Sequence, residues 1–422
     1  MVMEDTRLFF EKLLGIKMPW HITEVTQDHG NKRVDLRIDH SPSVQFPCPT
    51  CQAFCPVYDH APERECRHLN LWQMATYLHV RIPRINCPTH GIQQIIHGLS
   101  DPNGTVTYEF ERFVIDLEHE CTPSSIGRMF GLDWHLCQTI QERAVRRGLD
   151  RKAPGIPTRI GVDEKAFSRG QTYESIVYNL DKGIVEAVMD DRGQDSLESY
   201  YKRFPPEERA KVEAVAMDMW DPYIAATKAY IPDAHKKIVF DRYHVMRIVT
   251  KAVDTVRKEE NRALAEKDID LLKGTKYLWL WNNENVPAYR REEFDELRAK
   301  DLKISRAWWY KETIRRMWTF ASPGWMRRFF NDWHRWVAHS RLTPMIEAAK
   351  TLKAHLENIV TYANHRITNA LGESLNSKIE KVKRMACGYR NRAHYRLAIF
   401  FHCGGLNMYP QRSSVQMQII PA

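Results

Sequence analysis

Cys48-Pro-Thr-Cys51 and Cys87-Pro-Thr-His90 are two half-sites of one form, each setting a pair of metal-binding side chains three residues apart around a Pro-Thr turn. Zinc takes four soft or borderline donors at the corners of a tetrahedron, and paired C-x2-C and C-x2-H knuckles supply them. The spacing predicts one structural Zn²⁺ held by Cys48, Cys51, Cys87 and His90, with a strand pair between the knuckles as the hairpin that joins them. Cys55 and Cys66 are further thiols without a matching knuckle, and either is an alternative to His90. Structural zinc leaves function open, since a repressor would use it equally well.

Carboxylates form the second set. Asp163 closes the apolar run TRIGVDE, Asp218 closes VEAVAMD, and Glu373 lies far downstream in a helical pattern. Acids at strand C-termini open into a crevice. Two Mg²⁺ or Mn²⁺ ions ~3.5–4 Å apart need shared carboxylates to activate a hydroxyl and stabilise a leaving oxygen in an in-line phosphoryl displacement. Asp241, after KKIVFD, competes for the place of second acid. In a sheet whose fourth strand lies beside the first and whose fifth lies beyond it, Asp218 starts ~4.8 Å from Asp163 and Asp241 about twice as far. That favours Asp218 as ligand and Asp241 as a supporting acid, with Arg242 or His244 as the side chain it would anchor. Beyond Glu373, Asn376, Ser377, Glu380, Lys381 and Arg384 recur on its helical face, and with Lys378 they suit a polyanionic strand. The sequence offers no Ser-His-Asp triad.

These residues need elements to hold them. Residues 1–44 read as a helix and a strand (33–38), and 45–98 as a zinc-binding module too loop-rich for an independent core. In 99–151, Phe110, Phe113, Val114 and Leu117 form one apolar stripe, and Thr122-Pro123 starts a short helix that breaks at Gly131 before a longer one from Asp133. Short helix, glycine turn, long helix is a helix-turn-helix pattern. Its second helix is expected to bury Leu136, Cys137 and Ile140 and to expose His135, Gln138, Thr139, Glu142 and Arg143, with base reading by the polar residues at its start and Arg128, Arg146 and Arg147 on phosphates.

After the linker KAPGIP the period changes to that of strands. The order β-β-β-α-β-α-β, with a hairpin at Asp181-Lys182-Gly183, predicts a mixed sheet of the ribonuclease H kind. The first part of this catalytic domain spans 158–245. A helical insertion over 246–360 carries eight of the twelve tryptophans, most of them expected in its core. The last part, with the Glu373 helix, spans 361–405, and 406–422 form a tail. The fold class is thus multidomain α/β: zinc-knuckle module and helix-turn-helix, then a ribonuclease H-like mixed sheet with a large helical insertion.

Composition fits this picture. The 422 residues carry a formal net charge of +9, which favours a polyanionic partner, and 43% hydrophobic with 27% charged residues describe a folded, soluble chain. No apolar run reaches the ~20 residues of a membrane span. The acidic, helical N-terminus differs from a signal peptide, so a cytoplasmic, nucleoid-associated protein with reduced thiols is expected.

Several motifs in order resemble the ISL-three family of insertion-sequence transposases over most of the chain: the CPxC finger, the helix-turn-helix, GVDE (161–164), AMDMW (216–220), VFDRYHV (239–245) and GESLNSKIEKVKRMACGYRN (372–391). The resemblance implies a DDE catalytic triad of Asp163, Asp218 and Glu373 with two Mg²⁺ per active site, and makes the helical stretch between Asp241 and Glu373 an insertion in the catalytic domain. His90 departs from the family's usual cysteine. The implied protein binds the terminal inverted repeats of its element, cleaves DNA and joins the freed 3′-hydroxyl to target DNA, as a homodimer that synapses two ends. A catalytically silent DNA-binding regulator and a structure-specific nuclease on the same fold are the alternatives.

Overall fold

The computed structural model describes residues 2–102, 104–168, 172–367 and 370–411, so 412–422 of the expected tail lie outside the described residues. It divides into two compact units, one of residues 1–152 with 406–422 and one of residues 153–405.

In the first unit, strands β1 (Trp20–Asp28), β2 (Arg33–His40), β3 (Gln45–Pro47), β4 (Phe54–His60), β5 (Arg64–Leu71), β6 (Met74–Val80), β7 (Pro83–Cys87) and β8 (Gly91–Gln94) make two four-stranded sheets. Their orders are β1-β2-β6-β5 and β3-β4-β7-β8. Sequence patterning missed β1, which pairs antiparallel with β2. The segments 1–44 and 45–98 share one core, from Phe10, Trp20 and Leu36 through Phe46 to Ile85 and Ile95. The module is therefore less loop-rich than its Cys, Pro and His content suggests, because it borrows apolar partners from the first 44 residues. The hairpin between the knuckles, β5–β6, joins the other sheet by pairing β6 with β2, so the knuckles are held instead by β3–β4 and β7–β8.

Three helices follow, Tyr108–Glu118, Pro123–Phe130 and Trp134–Asp150. Thr122 caps the second by accepting from Ser125 N, with Pro123 in the first turn. Gly131 ends it at φ +65, a conformation open to glycine, and Asp133 caps the third by accepting from His135 N. Glu111, 1% exposed, binds Arg143 at 2.9 Å and Arg147 at 2.7 Å and so ties the first helix to the third. The chain's last described residues return here: Arg147 donates to Met408 O at 2.6 Å and Arg151 to Tyr409 O at 2.7 Å.

The second unit is built on β9 (Arg159–Ser168), β10 (Thr172–Asn179), β11 (Ile184–Asp190), β12 (Ala214–Met217) and β13 (Ile238–Phe240), in the order β11-β10-β9-β12-β13. The first three are antiparallel, and β12 is parallel to both β9 and β13. The hairpin turns at Gly183, φ +64, as the sequence suggests. Alternation along the strands feeds two cores. Ile160, Val162, Val215, Met217 and Phe240 face one that runs on into the helical region, and Ile176, Tyr178, Ala214, Ala216 and Val239 face another completed by Leu375, Ile379, Tyr395 and Ile399.

The stretch 242–365 is helical. Trp279, Trp308, Trp318 and Trp333 are buried there, while Trp309, Trp325 and Trp336 are exposed and Trp281 is half-buried. Half of the eight tryptophans are core, fewer than the expected majority. No helix among the described residues is long and apolar enough to cross a membrane.

Candidate metal centres and carboxylate site

Cys48 and Cys51 follow β3, and Cys87 and His90 bound the β7–β8 turn. Cys48 Sγ stands 3.8 Å from His90 Nδ1, Cys51 Sγ 3.6 Å from Cys87 Sγ, and Cys87 Sγ 3.6 Å from His90 Nδ1. All four donors lie within 4.8 Å of one another. Donors ~2.0–2.3 Å from a common centre stand roughly 3.4–3.8 Å apart on a tetrahedron, so these edges fit zinc. Backbone N–H groups of Thr89 and His90 pull the Cys87 thiol down to about 7, toward the thiolate that ligates. Cys55 donates to Ala53 O, and Cys66 faces Ser100 and Gly104 O, so neither takes His90's place.

In the second unit, Asp163 lies within β9 rather than at its end. It sits two residues beyond Gly161, where the β9–β12 pairing stops, so it still marks the C-terminal edge of the parallel strands. Asp218 follows β12, on the neighbouring strand. Asp241 follows β13 and caps the helix Arg242–Ala265, its Oδ1 accepting from Tyr243 N at 3.3 Å. Glu373 stands in the first turn of the helix Ala370–Met385.

The electrostatics couple these groups. Burial pushes the Asp218 carboxyl up to about 6, with the charges of Asp163 and Glu164 adding to it and His244 opposing. Glu373 is exposed, yet partial desolvation of its carboxyl raises it, helped by Asp241 and Asp163 and again opposed by His244. Asp218 Oδ1 is buried without a hydrogen-bond partner. A buried unpaired oxygen among mutually repelling carboxylates is what a divalent cation relieves, so the donor set fits one. Asp163, Asp218 and Glu373 are not among the groups whose donors all lie within 4.8 Å, so they stand more openly than the zinc donors.

The Glu373 helix is fastened to the sheet. Leu375, Ile379 and Val382 are buried, and Lys383 donates to Ala166 O at 2.8 Å. Asn376, expected to face DNA, is 9% exposed; its amide donates to Asp163 Oδ2 at 2.5 Å and accepts from the Tyr178 hydroxyl at 2.6 Å. Lys378, Lys381 and Arg384 are exposed. In the three-helix region Arg128, His135, Thr139 and Arg146 are exposed. Gln138, expected at the surface, is 8% exposed, and Arg143 and Arg147 are engaged by Glu111. Cys137 and Ile140 are buried as expected, whereas Leu136 is only half-buried. Sequence reasoning offered His244 only as a side chain for Asp241 to anchor, whereas its charge acts on both Asp218 and Glu373. The signal was the spacing Asp241 to His244, which sets both in one helical turn near the acids.

A family model described as "Transposase" matches residues 160–399, and one described as "zinc-finger of transposase IS204/IS1001/IS1096/IS1165" matches 45–90. The transposase for insertion sequence element IS1001 of Bordetella parapertussis is 24% identical over 356 residues, covering 83% of this chain and 87% of that protein. The transposase for insertion sequence element IS1557 of Mycobacterium tuberculosis is 25% identical over 421 residues, covering 92% and 93%. With more than half its length matched, including every acid of the second unit's carboxylate site, the chain belongs to the ISL3 family of DDE-type transposases, a family of enzymes.

Proposed function

We propose that this chain binds the terminal inverted repeats of an insertion sequence and catalyses Mg²⁺-dependent DNA strand cleavage and strand transfer, with Asp163, Asp218 and Glu373 as metal ligands. The observation that carries the reading is that Asp163 on β9 acts electrostatically on both Asp218, which follows β12 and has a buried, unpartnered Oδ1, and Glu373, on a helix more than 150 residues downstream. The strand order, three antiparallel strands followed by two parallel ones beside the first, supports a ribonuclease H-like reading of this unit. Bound divalent ions would supply charge stabilisation for the attacking and leaving oxygens. The protein's own part is to hold the acids: Asn376 orients Asp163, the Asp241 cap fixes the helix that carries His244, and the apolar face of the Glu373 helix seats it on the sheet.

DNA contact is assigned to the exposed Arg128, His135, Thr139 and Arg146 of the helix-turn-helix and to Lys378, Lys381 and Arg384 beside the acids. Two ends must be brought together, so a homodimer is expected, working on DNA in the cytoplasm. The test is incubation of full-length protein with labelled duplexes bearing the element's ends, with and without Mg²⁺. Cutting followed by joining supports the proposal. Cutting alone would make it a nuclease, and a shifted band alone a regulator.

A further inference from the structure

His40 ends β2 and His60 ends β4, strands of two different sheets, and their Nε2 atoms are 2.8 Å apart. Asp39 Oδ1 stands 4.0 Å from His40 Nε2, and the three donors lie within 4.8 Å of one another. The cluster shares no residue with the Cys48–His90 donors.

The surroundings set the chemistry of each donor. His40 Nδ1 is 2.9 Å from the carbonyl oxygen of Ser41. A carbonyl only accepts, so Nδ1 holds the proton and Nε2 presents its lone pair to the cluster. A ring whose second nitrogen donates to a backbone carbonyl is the usual state of a ligating histidine. The His40 ring is fixed edge-on between Trp20 and Phe46, with centroids at 6.0 and 5.4 Å. Burial, and Arg81 beside it, hold His60 below its usual range, so it stays neutral near pH 7, the form that ligates. Asp39 keeps its second oxygen on Arg81 at 3.1 Å, which orients the carboxylate.

Two imidazole nitrogens on one ion at ~2.0–2.1 Å stand roughly 2.9–3.4 Å apart, from cis-octahedral to tetrahedral geometry. The 2.8 Å between His40 and His60 reaches that range with a few tenths of an ångström of opening. Two imidazoles and a carboxylate are borderline donors suited to zinc, cobalt or nickel, and the side chains of Asp39 and His40 keep some exposure, which leaves room for water as a further ligand. We propose that Asp39, His40 and His60 form a second divalent transition-metal site, of the zinc class, that staples the two sheets of the N-terminal unit together.

The test counts metal in full-length protein whose carboxylate site is disabled by Asp163→Asn and Asp218→Asn, after equilibration in buffered zinc, then titrates the metal-free protein with Co²⁺. With the N-terminal unit wild type, two equivalents are expected. One shows the thiolate-to-cobalt charge-transfer absorption of the cysteine site, and the other shows only weak ligand-field bands. His60→Gln in that background is expected to keep the thiolate-bound equivalent and weaken the other by at least about 100-fold. One equivalent with the N-terminal unit wild type would overturn the proposal and leave a hydrogen-bonded pair in which His60 Nε2–H donates to His40. Two equivalents retained in His60→Gln would overturn it as well. Should that variant lose the thiolate absorption through misfolding, the count with His60 in place alone decides.

Discussion

Asn376 donates its amide to Asp163 Oδ2 at 2.5 Å and accepts the Tyr178 hydroxyl at 2.6 Å, a polar chain from β10 to a point three residues past Glu373. It fixes the orientation of one acid and the placement of another's helix through one side chain. Asn376→Ala is therefore expected to lower end cleavage by ~10–100-fold, the range seen when an outer-shell partner of a metal ligand is removed. End binding should stay within about twofold, because the amide is buried. A parallel gel-shift and cleavage series across Mg²⁺ concentrations checks this. Binding lost in step with cleavage would restore the DNA-contact role that sequence spacing suggests.

The choice between Asp218 and Asp241 rests on where β12 and β13 lie. Asp218 follows the strand that pairs with β9, whereas Asp241 follows the next strand out and has one oxygen on the backbone of its own helix. Asp218→Asn and Glu373→Gln are each expected to abolish Mg²⁺-dependent cleavage while leaving binding near normal. Asp241→Asn keeps a good helix cap, so stability should hold, whereas Asp241→Ala should cost about 1 kcal/mol. Cleavage lost in Asp241→Asn and kept in Asp218→Asn, over Mg²⁺ and Mn²⁺ titrations, would reverse the assignment.

What the sequence made legible follows from which interactions are local. The Pro-Thr knuckles, the Thr122 and Asp133 caps, the Gly131 break and the Gly183 hairpin depend on residues a few positions apart, and all stand where spacing sets them. Strand β1 escaped because its alternation is broken by a bulge between Ile22 and Glu24. The partnership of β6 with β2 also escaped, since a parallel pairing across some 40 residues leaves no local mark. Gln138 and Asn376 were assigned to solvent because polar side chains on a patterned helix usually face it. Here the half-buried Asp163 carboxylate and a buried tyrosine hydroxyl draw Asn376 inward, as charge-assisted hydrogen bonds can.

Zinc removal should act on one unit only. The four donors join the β3–β4 and β7–β8 hairpins, whose strands share the core of residues 10–95, while residues 153–405 pack among themselves. Chelation at neutral pH is expected to melt the first unit, because structural zinc contributes folding energy directly. The second should keep its cooperative transition. Limited proteolysis with and without chelator checks this: a protected fragment beginning near residue 153 is the expected product, and uniform digestion would count against it.

Neighbouring tryptophans should behave differently. Trp308 is 4% exposed and packs edge-on against Phe294 at 5.2 Å, so Trp308→Ala should cost ~3–5 kcal/mol of stability. Trp309 is 50% exposed and, with Trp336, Arg335 and His339, lines an open cleft of about 490 Å³. An aromatic pair beside a guanidinium suits an unpaired base, and stacking of that kind is worth ~1–3 kcal/mol. Trp309→Ala is expected to leave the melting temperature unchanged and reduce end cleavage by roughly 5–150-fold, those energies expressed as a rate. Unchanged cleavage and binding in a folded Trp309→Ala protein would remove the cleft from the DNA path.

One buried acid should make the stability of the first unit depend on pH. Glu118 is 1% exposed, and neither carboxyl oxygen makes a hydrogen bond of good geometry. Burial pushes its carboxyl up to about 8, with Gln141 opposing. In the unfolded chain Glu118 loses its proton near 4.5, whereas in the folded unit it keeps it to about 8. Between those values the folded state binds more protons, so its stability falls as pH rises. The contribution is fully present below about 4.5 and lost by about 8, a difference of a few kcal/mol on the scale of ~1.4 kcal/mol per unit. Glu118→Gln, neutral at every pH, should match wild type near pH 5 and exceed it near pH 8. Melting curves of both proteins from pH 5 to 9 measure this, and two curves that stay parallel across the range would show that Glu118 ionises in the fold as it does in water.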